Sequence, residues 1–246
     1  IGIDVLGSAW GSLLLLRVGI PYRLGVRGYA GGHSAAQAMV VFDPWESVSR
    51  SALRFAELLG ATDLPACRPQ IFLTAEEKET AERWWAAAEA DGRRKRRVVM
   101  GPGGGLATKC WPGERFAALA GRLLEMDDVG VLVLGGPRES ELVAQVAAGS
   151  PRAHAFLLAP GLRETFALVA ACDLVVCNSS MLLHAAAAFA KPSVVLLGEA
   201  FASARHHQAQ WGYPGLSHSL GKEPGERTAL ATPEDALAAV REAIPV

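Results

Sequence analysis

The chain has 246 residues, half of them hydrophobic, and a formal net charge of −1 at neutral pH. This composition supports a buried core and excludes a largely disordered chain, and the near-zero charge argues against a nucleic-acid partner. The four cysteines form no Cys-x-x-Cys pair, which favours reduced thiols in a cytoplasmic protein. No segment approaches the roughly 20 consecutive apolar residues of a membrane-spanning helix.

The first 90 residues contain strand-like and helix-like segments without a regular period. IGIDVLG, YRLGV and MVVFDP resemble strands, and residues 8–19 and 47–60 resemble helices. The chain begins in a strand-like segment, with neither an initiating methionine nor a basic signal-peptide region. We therefore expect further sequence upstream of this strand.

A predicted helix closes this half of the chain. It starts with a capping box formed by Thr74 and Glu77 and leads to a run of five basic residues at 93–97. The simplest interpretation of the run is a solvated linker. The alternative is a peripheral contact with anionic lipid, worth about 1 kcal/mol per basic residue near such a surface. We predict two domains, residues 1–92 and residues 93–246.

The C-terminal half alternates regularly between strands and helices. Apolar segments predict five strands, at 98–100, 129–136, 155–159, 173–178 and 193–198. Helices are predicted between them, and a last one is capped by Thr232. This alternation favours an α/β fold with a parallel sheet covered on both faces. Ligands bind such sheets at the carboxyl ends of the strands, which indicates the loops 101–112, 135–139, 159–162 and 178–184.

The glycine-rich loop GPGGGLATKCWP is a candidate anion site. Its consecutive glycines let backbone amides approach a ligand, the following helix presents its N-terminus, and Lys109 adds a positive charge. It is not a magnesium-phosphate loop, because Cys110 stands where that motif has Ser or Thr. A purely structural turn is the alternative. Trp111 and Pro112 are predicted to pack at the entry to the next helix.

Three further loops offer polar candidates. Glu139 either complements the dipole of the helix it begins or accepts hydrogen bonds from ribose hydroxyls or a base amine. Ser179 and Ser180 either cap a helix or bind phosphate or sugar oxygens. His184 lies one helical turn after Ser180 and is either a structural residue or a ligand contact.

The sequence gives little indication of metal or nucleophilic chemistry. His206 and His207 are adjacent in a predicted loop, with no cluster of Asp, Glu or Cys beside them, so we predict no metal site. Nucleophile motifs such as Gly-x-Ser-x-Gly and His-Glu-x-x-His are absent from the sequence. No catalytic residue is assigned.

These segments together resemble glycosyltransferase family 9, the heptosyltransferases of lipopolysaccharide core synthesis. The resemblance rests on GPGGGLATKCWPGERFAALA, GGPRE, PGLRE and NSSMLLHAAAA, in the order and at the spacing found in the family, with a weaker match in SRSALRFAELLGA. It implies a fold of the B type, with two Rossmann-like domains and the nucleotide sugar held mainly by the C-terminal one. The N-terminal domain is expected to be incomplete in this sequence.

The resemblance also implies roles for single residues. By carry-over, the residues facing the diphosphate are Gly104, Gly105 and Lys109, and Glu139 lies near the adenosine. The base pocket is lined by Gly161 and Leu162, and the phosphate and sugar are flanked by Ser180 and His184. Ser179 stands at the family's donor-sugar aspartate, and Met181 at its glycine. A buried charged acceptor is worth roughly 1.5–3 kcal/mol, so these departures bear on donor binding.

The implied function is transfer of a heptose or related sugar from a nucleotide-sugar donor, with ADP-heptose one candidate, to lipopolysaccharide or another glycan acceptor. No cofactor or metal is expected. The expected partners are the nucleotide sugar and a glycan or lipid-linked acceptor, in the cytoplasm or at the bacterial inner membrane. The alternative is a non-catalytic descendant that binds a nucleotide or glycan or supports a partner. An epimerase of similar architecture is less favoured, because it would need acidic and basic groups in its cleft.

Overall fold

The computed structural model describes residues 1–64, 67–89, 96–150, 153–157 and 161–244. They form two compact units. One comprises Ile1–Cys67 with Ala209–Trp211, and the other Arg68–Gln208 with Gly212–Val246. The N-terminal unit therefore ends near residue 67, about one helix earlier than the predicted boundary at residue 92.

The N-terminal unit is a small parallel sheet with two helices. Its elements are β1 (Gly2–Ile3), α1 (Ala9–Arg17), β2 (Arg23–Arg27), β3 (Ala38–Val41) and α2 (Val48–Leu58). Within the described residues, the strands pair in the order β1-β2-β3, all parallel. Ser8 and Ser47 cap the two helices through their hydroxyls. The predicted strands and helices of this region are confirmed.

The C-terminal unit is the larger one. Its elements are α3 (Ala75–Ala88), β4 (Arg96–Gly101), α4 (Gly113–Leu124), β5 (Val129–Gly135), α5 (Ser140–Ala147), β6 (His154–Leu157), α6 (Leu162–Ala170), β7 (Leu174–Cys177), α7 (Met181–Ala188), β8 (Ser193–Leu196), α8 (Ala204–Trp211), β9 (Ser217–Leu220) and α9 (Pro233–Ala243). Within the described residues, its strands are all parallel, in the order β6-β5-β4-β7-β8-β9. The order reverses between β4 and β7, so the predicted architecture is confirmed.

Two elements of this unit differ from the prediction. Residues 204–211 form helix α8, capped by Ser203, where the sequence indicated a loop. Residues 217–220 form a strand, β9, that adds to the five predicted ones and pairs with β8. β9 has the sequence SHSL, which lacks the apolar run of the other strands.

The central strands are buried on both faces, as their apolar sequences predict. Val129–Leu134 of β5 are all buried, and the side chains of the sheet divide into two hydrophobic clusters. The predicted apolar face of α4, formed by Phe116, Leu119, Leu123 and Leu124, belongs to the first cluster. Trp111 packs edge-on against Phe116, which confirms its predicted role at the helix entry.

Helix α3 belongs to the C-terminal unit because its apolar face lies in the second cluster. The predicted capping box is present: Thr74 N–H donates to Glu77 Oε2 at 2.7 Å, and Glu77 N–H donates to Thr74 Oγ1 at 3.2 Å. Trp85 is fully buried in the cluster, and its indole N–H donates to the Leu168 carbonyl at 3.4 Å.

The last two residues of the basic run are not a solvated linker. Arg97 is buried, and its guanidinium pairs with Glu89 at 2.8 Å and lies 5.4 Å from the Trp85 ring centroid. Arg96 pairs with Asp128 at 2.6 Å. Each of these two cations is therefore paired with a carboxylate, and residues 93–95 lie outside the described residues. Within the described residues, no helix is both long and apolar enough to cross a membrane.

Candidate functional site

A cavity of about 360 Å³ opens at the carboxyl edge of the sheet in the C-terminal unit. The loops after β4, β5 and β7 form its walls, which is where the strand order reverses. Of the predicted site residues, Gly104, Gly105, Glu139 and Ser180 line this cavity. Because ligands of doubly wound sheets bind at this position, the cavity is the candidate nucleotide site.

The glycine-rich loop approaches Glu139 closely. A Cβ atom on Gly103 would lie only 2.0 Å from Glu139 Oε1, whereas one on Gly105 would meet no atom within 4 Å. Gly103 is therefore required for this contact, although the sequence singled out Gly104 and Gly105. The open surface at Gly105 leaves its backbone accessible to a ligand.

Asn178 anchors the same loop to the end of β7. Its buried amide donates from Nδ2 to the carbonyls of Pro102 at 2.6 Å and Gly103 at 3.1 Å. Its Oδ1 accepts from the Trp111 N–H at 2.9 Å. These three bonds use both the donor and the acceptor of the amide, so a carboxylate could not replace it. The sequence placed Asn178 in the right loop but gave no sign of this role.

Glu139 has a structural role at the start of its helix, and its role as an acceptor for a ligand stays a prediction. Its Oε2 accepts a hydrogen bond from the Gly136 N–H at 2.8 Å, closing a short 3-10 turn at Pro137–Glu139. The residue also lines the cavity beside Gly103. It is thus a carboxylate held in place by backbone and available to donors on a ligand.

Ser180 and Met181 form the part of the cavity wall at the start of α7. Ser180 occupies the N-cap position, but its side chain makes no capping hydrogen bond. The Met181 side chain is 40% exposed and lines the cavity. A flexible thioether therefore occupies space that a glycine would leave open.

The other predicted site residues do not line this cavity in the part of the chain that is described: Lys109, Gly161, Leu162, Ser179 and His184. Lys109 is exposed, with its Nζ 5.9 Å from the Phe201 ring centroid. Gly161 is the N-cap residue of α6, and Leu162 is 48% exposed in its first turn. Thr165, one turn further along α6, does line the cavity and was not predicted.

His184 faces Tyr213. Its Nδ1 lies 2.8 Å from the Tyr213 hydroxyl, and the two rings pack edge to face. Burial lowers the pKa of His184, because the protonated ring loses hydration. His184 therefore packs against Tyr213, and its role as a ligand contact stays a prediction.

A hydrogen-bond network around His207 was not predicted. His207 is buried in α8, with Nδ1 2.8 Å from Ser219 Oγ and Nε2 2.8 Å from Ser179 Oγ. Ser219 Oγ donates to Gln208 Oε1 at 2.9 Å, and Gln208 Nε2 donates to the Ser217 carbonyl at 3.0 Å. We call these five residues the His207 network. It brings α8 and β9 to the loop after β7, which carries two predicted site residues.

The His207 network should make stability depend on pH. Burial is the main cause that lowers the pKa of His207 to about 4, with nearby cationic groups adding to it. An unfolded imidazole titrates near 6.5, so the unfolded state binds the proton first as pH falls. Stability is therefore full above pH 6.5 and decreases towards pH 4, by up to about 3 kcal/mol. Urea unfolding at several pH values should show a shallower dependence in His207→Gln than in the wild type; parallel curves would contradict the assignment.

A buried carboxylate lies in the N-terminal unit. Asp4 follows β1, and its Oδ2 is buried without a hydrogen-bond partner among the described residues. A Cβ atom on Gly11 would lie within 2.6 Å of this carboxylate. Sequence reasoning did not single out Asp4, because an isolated Asp after a short strand carries no motif.

The family model of glycosyltransferase family 9, the heptosyltransferases, matches residues 1–205. The chain belongs to this family. No match was found among curated protein sequences.

Solved structures of family 9 proteins share the fold. The chain is similar to Escherichia coli ADP-heptose lipopolysaccharide heptosyltransferase II, with 23% identity and a TM-score of 0.68 over 98% of this chain and 74% of that one. A family 9 glycosyltransferase from Veillonella parvula gives 18% identity and a TM-score of 0.71 over 94% and 70%. The E. coli heptosyltransferase WaaC, solved with ADP, gives 18% and 0.69 over 98% and 71%.

Three of the loops predicted to form the site meet at one cavity, and one of them departs from the sequence pattern that the resemblance implies. The glycine-rich loop, the turn at Glu139 and the start of α7 all meet at one cavity. Ser179 and Met181 stand in the motif NSSMLLH, where the resemblance implies an aspartate and a glycine. In the structure, Ser179 is hydrogen-bonded to His207, and Met181 lines the cavity.

Proposed function

We propose that this glycosyltransferase family 9 member transfers a heptose or related sugar from a nucleotide-sugar donor to lipopolysaccharide or another glycan acceptor. The observation that supports this is the cavity at the reversal of strand order, walled by the glycine-rich loop, Glu139 and Ser180. The two E. coli heptosyltransferases with the same fold are named for this chemistry, which makes ADP-heptose the first donor to test.

Different residues of the proposed donor site are assigned to different parts of the nucleotide sugar. Glu139 accepts hydrogen bonds from ribose hydroxyls or the base amine, next to the exposed backbone at Gly104 and Gly105. Backbone amides of that loop face the diphosphate, with Lys109 supplying positive charge as the leaving group departs. Gly161 and Leu162 are assigned to the base, and Ser180 and His184 to the phosphate and sugar. Of these four residues, only Ser180 lines the cavity itself. In this proposal the protein's own donors replace a metal ion.

Binding measurements test the donor site directly. Calorimetric titration with ADP, ADP-heptose, UDP and UDP-glucose should show saturable binding of at least one nucleotide sugar and its nucleoside diphosphate. Glu139→Gln should weaken binding of the preferred nucleotide, because it replaces a carboxylate acceptor with a neutral amide. Failure of all four ligands to bind would overturn the donor-site proposal.

Lys109→Ala should weaken binding of the nucleoside diphosphate by about tenfold, because a charge-assisted contact to phosphate is worth roughly 1.5–3 kcal/mol and an exposed one lies at the low end. The effect should diminish at high salt. The matched control is Lys191→Ala, which removes a lysine between α7 and β8, at the amino end of the strands. Equal effects of the two substitutions would show that only the net charge matters.

The alternative is a non-catalytic descendant that binds a nucleotide or glycan. It is favoured by one observation: Ser179 and Met181 replace the aspartate and glycine that the resemblance implies. A single-turnover assay with ADP-heptose and a lipopolysaccharide core acceptor separates the two. Transfer of sugar refutes the alternative, while nucleotide binding without transfer supports it. Addition of anionic vesicles to the same assay tests the proposed peripheral membrane contact.

A further inference from the structure

The His207 network ends at a group that can only accept hydrogen bonds. The Ser217 carbonyl lies 3.0 Å from the amide of Gln208, so the NH₂ end of that amide must face it. The other end of the amide, Oε1, therefore faces Ser219 Oγ at 2.9 Å. Because Oε1 cannot donate, the single hydroxyl proton of Ser219 is directed to it.

This arrangement fixes the tautomer of His207. Ser219 uses its hydroxyl proton in the hydrogen bond that it donates to Gln208, so its oxygen can only accept from His207 Nδ1, which must carry the ring proton. A neutral imidazole with its proton on Nδ1 has a bare Nε2, which accepts from the Ser179 hydroxyl at 2.8 Å. The low pKa of His207 keeps the ring neutral at physiological pH. Every hydrogen bond in the network then runs in one direction.

We infer that His207 is a positioning residue that turns Ser179 into a hydrogen-bond acceptor for a sugar hydroxyl of the donor. The hydroxyl proton of Ser179 points to Nε2, so only its oxygen lone pairs remain for a ligand. Ser179 is half-buried and is the neighbour in sequence of Ser180, which lines the cavity. An oxygen that has lone pairs but no available proton accepts a hydrogen bond from a sugar hydroxyl. It repels a phosphate oxygen, which has no proton to donate. Ser179 thereby selects for the sugar, not for the diphosphate.

This inference rests on the proposed function for its ligand, but the direction of the network is independent of any ligand. The first experiment therefore uses the free protein. Histidine labelled with ¹⁵N distinguishes the two neutral tautomers by chemical shift and by coupling to the ring carbons' protons. His207 should show the less common form with the proton on Nδ1, in contrast to the exposed His218.

Ser219→Ala removes the acceptor that holds the proton on Nδ1, and His207 should then move towards the tautomer protonated on Nε2. This variant keeps both Ser179 and the ring, so it remains informative if substitution of His207 itself prevents folding. A wild-type His207 that carries its proton on Nε2, or that is charged at pH 7, would overturn the inference whatever ligand the protein binds.

The second experiment compares ADP-heptose with ADP. Ser179→Ala should weaken binding of ADP-heptose by about tenfold and change that of ADP less than twofold, because one acceptor to the sugar is lost. Ser179→Thr keeps the hydroxyl and should retain most of the affinity. Ser219→Ala should cause a smaller loss, also confined to the sugar ligand. Equal weakening of both ligands would overturn the assignment to the sugar. If the wild type binds neither, the proposed function fails, and the tautomer still reports on the network separately.

Discussion

Trp85→Ala should lower the free energy of unfolding of the C-terminal unit by about 3–5 kcal/mol, the usual cost of truncating a buried tryptophan. Trp85 is 0% exposed and lies in the hydrophobic cluster on one face of the sheet. The substitution leaves a cavity between α3 and the sheet, and it removes the indole donor to the Leu168 carbonyl. It also removes the ring beside the buried Arg97 guanidinium. Urea unfolding monitored by circular dichroism measures the loss.

The control is the neighbouring residue of the same type in the same helix. Trp84 is 45% exposed, so Trp84→Ala should cost at most about 1 kcal/mol. The pair separates burial against the sheet from any general effect of shortening a tryptophan in α3. Equal losses for the two variants would show that α3 is not integrated into the core of the C-terminal unit.

The position of α3 explains why the predicted boundary at residue 92 differs from the division into compact units near residue 67. The capping box and the length of the helix were evident from the sequence, because they are local signals. The run of basic residues after it resembled a solvated linker, which placed the boundary there. What the sequence could not show is that Glu89 and Asp128 lie beside Arg97 and Arg96. Such pairing makes a charged stretch compatible with the start of a buried strand.

The strands were predicted with unequal success for a related reason. β5 and β7 are apolar throughout, because both their faces are buried, and they were found at once. β9 has two serines and a histidine among its four residues, and its Ser219 hydroxyl is satisfied by His207 and Gln208. Hydrophobic periodicity cannot detect a strand whose inward side chains are polar and hydrogen-bonded.

The candidate site, like the strands, could be predicted only in part from the sequence. The loops that wall the cavity were predicted, since the carboxyl ends of parallel strands meet at one edge of the sheet. The side-chain contacts within it were not, because Asn178 meets Trp111 across 67 residues and His207 meets Ser179 across 28. No spacing rule of helices or strands relates residues so far apart.

Asn178→Asp should abolish nucleotide binding and destabilise the C-terminal unit by about 3–5 kcal/mol at pH 7. One carboxylate oxygen can still accept from the Trp111 N–H, as Oδ1 does now. The other would face the carbonyls of Pro102 and Gly103, which now accept from Nδ2 at 2.6 and 3.1 Å. A buried charge against two carbonyl oxygens is unpaired, and removing one partner of a buried charged contact typically costs this much. The glycine-rich loop should leave its position to relieve the repulsion.

Two comparisons isolate the cause of this effect. Asn178→Ala removes the same three hydrogen bonds without adding charge, so it should cost less, about 1–3 kcal/mol. The deficit of Asn178→Asp relative to the wild type should shrink at low pH, because a protonated carboxyl regains one donor for the carbonyls. The deficit of Asn178→Ala should not change with pH. If both variants lose equal stability at every pH, the loop is not held by the donor side of the amide. If Asn178→Asp instead binds ADP as tightly as the wild type does, binding of the diphosphate by the glycine-rich loop does not depend on the hydrogen bonds of Asn178.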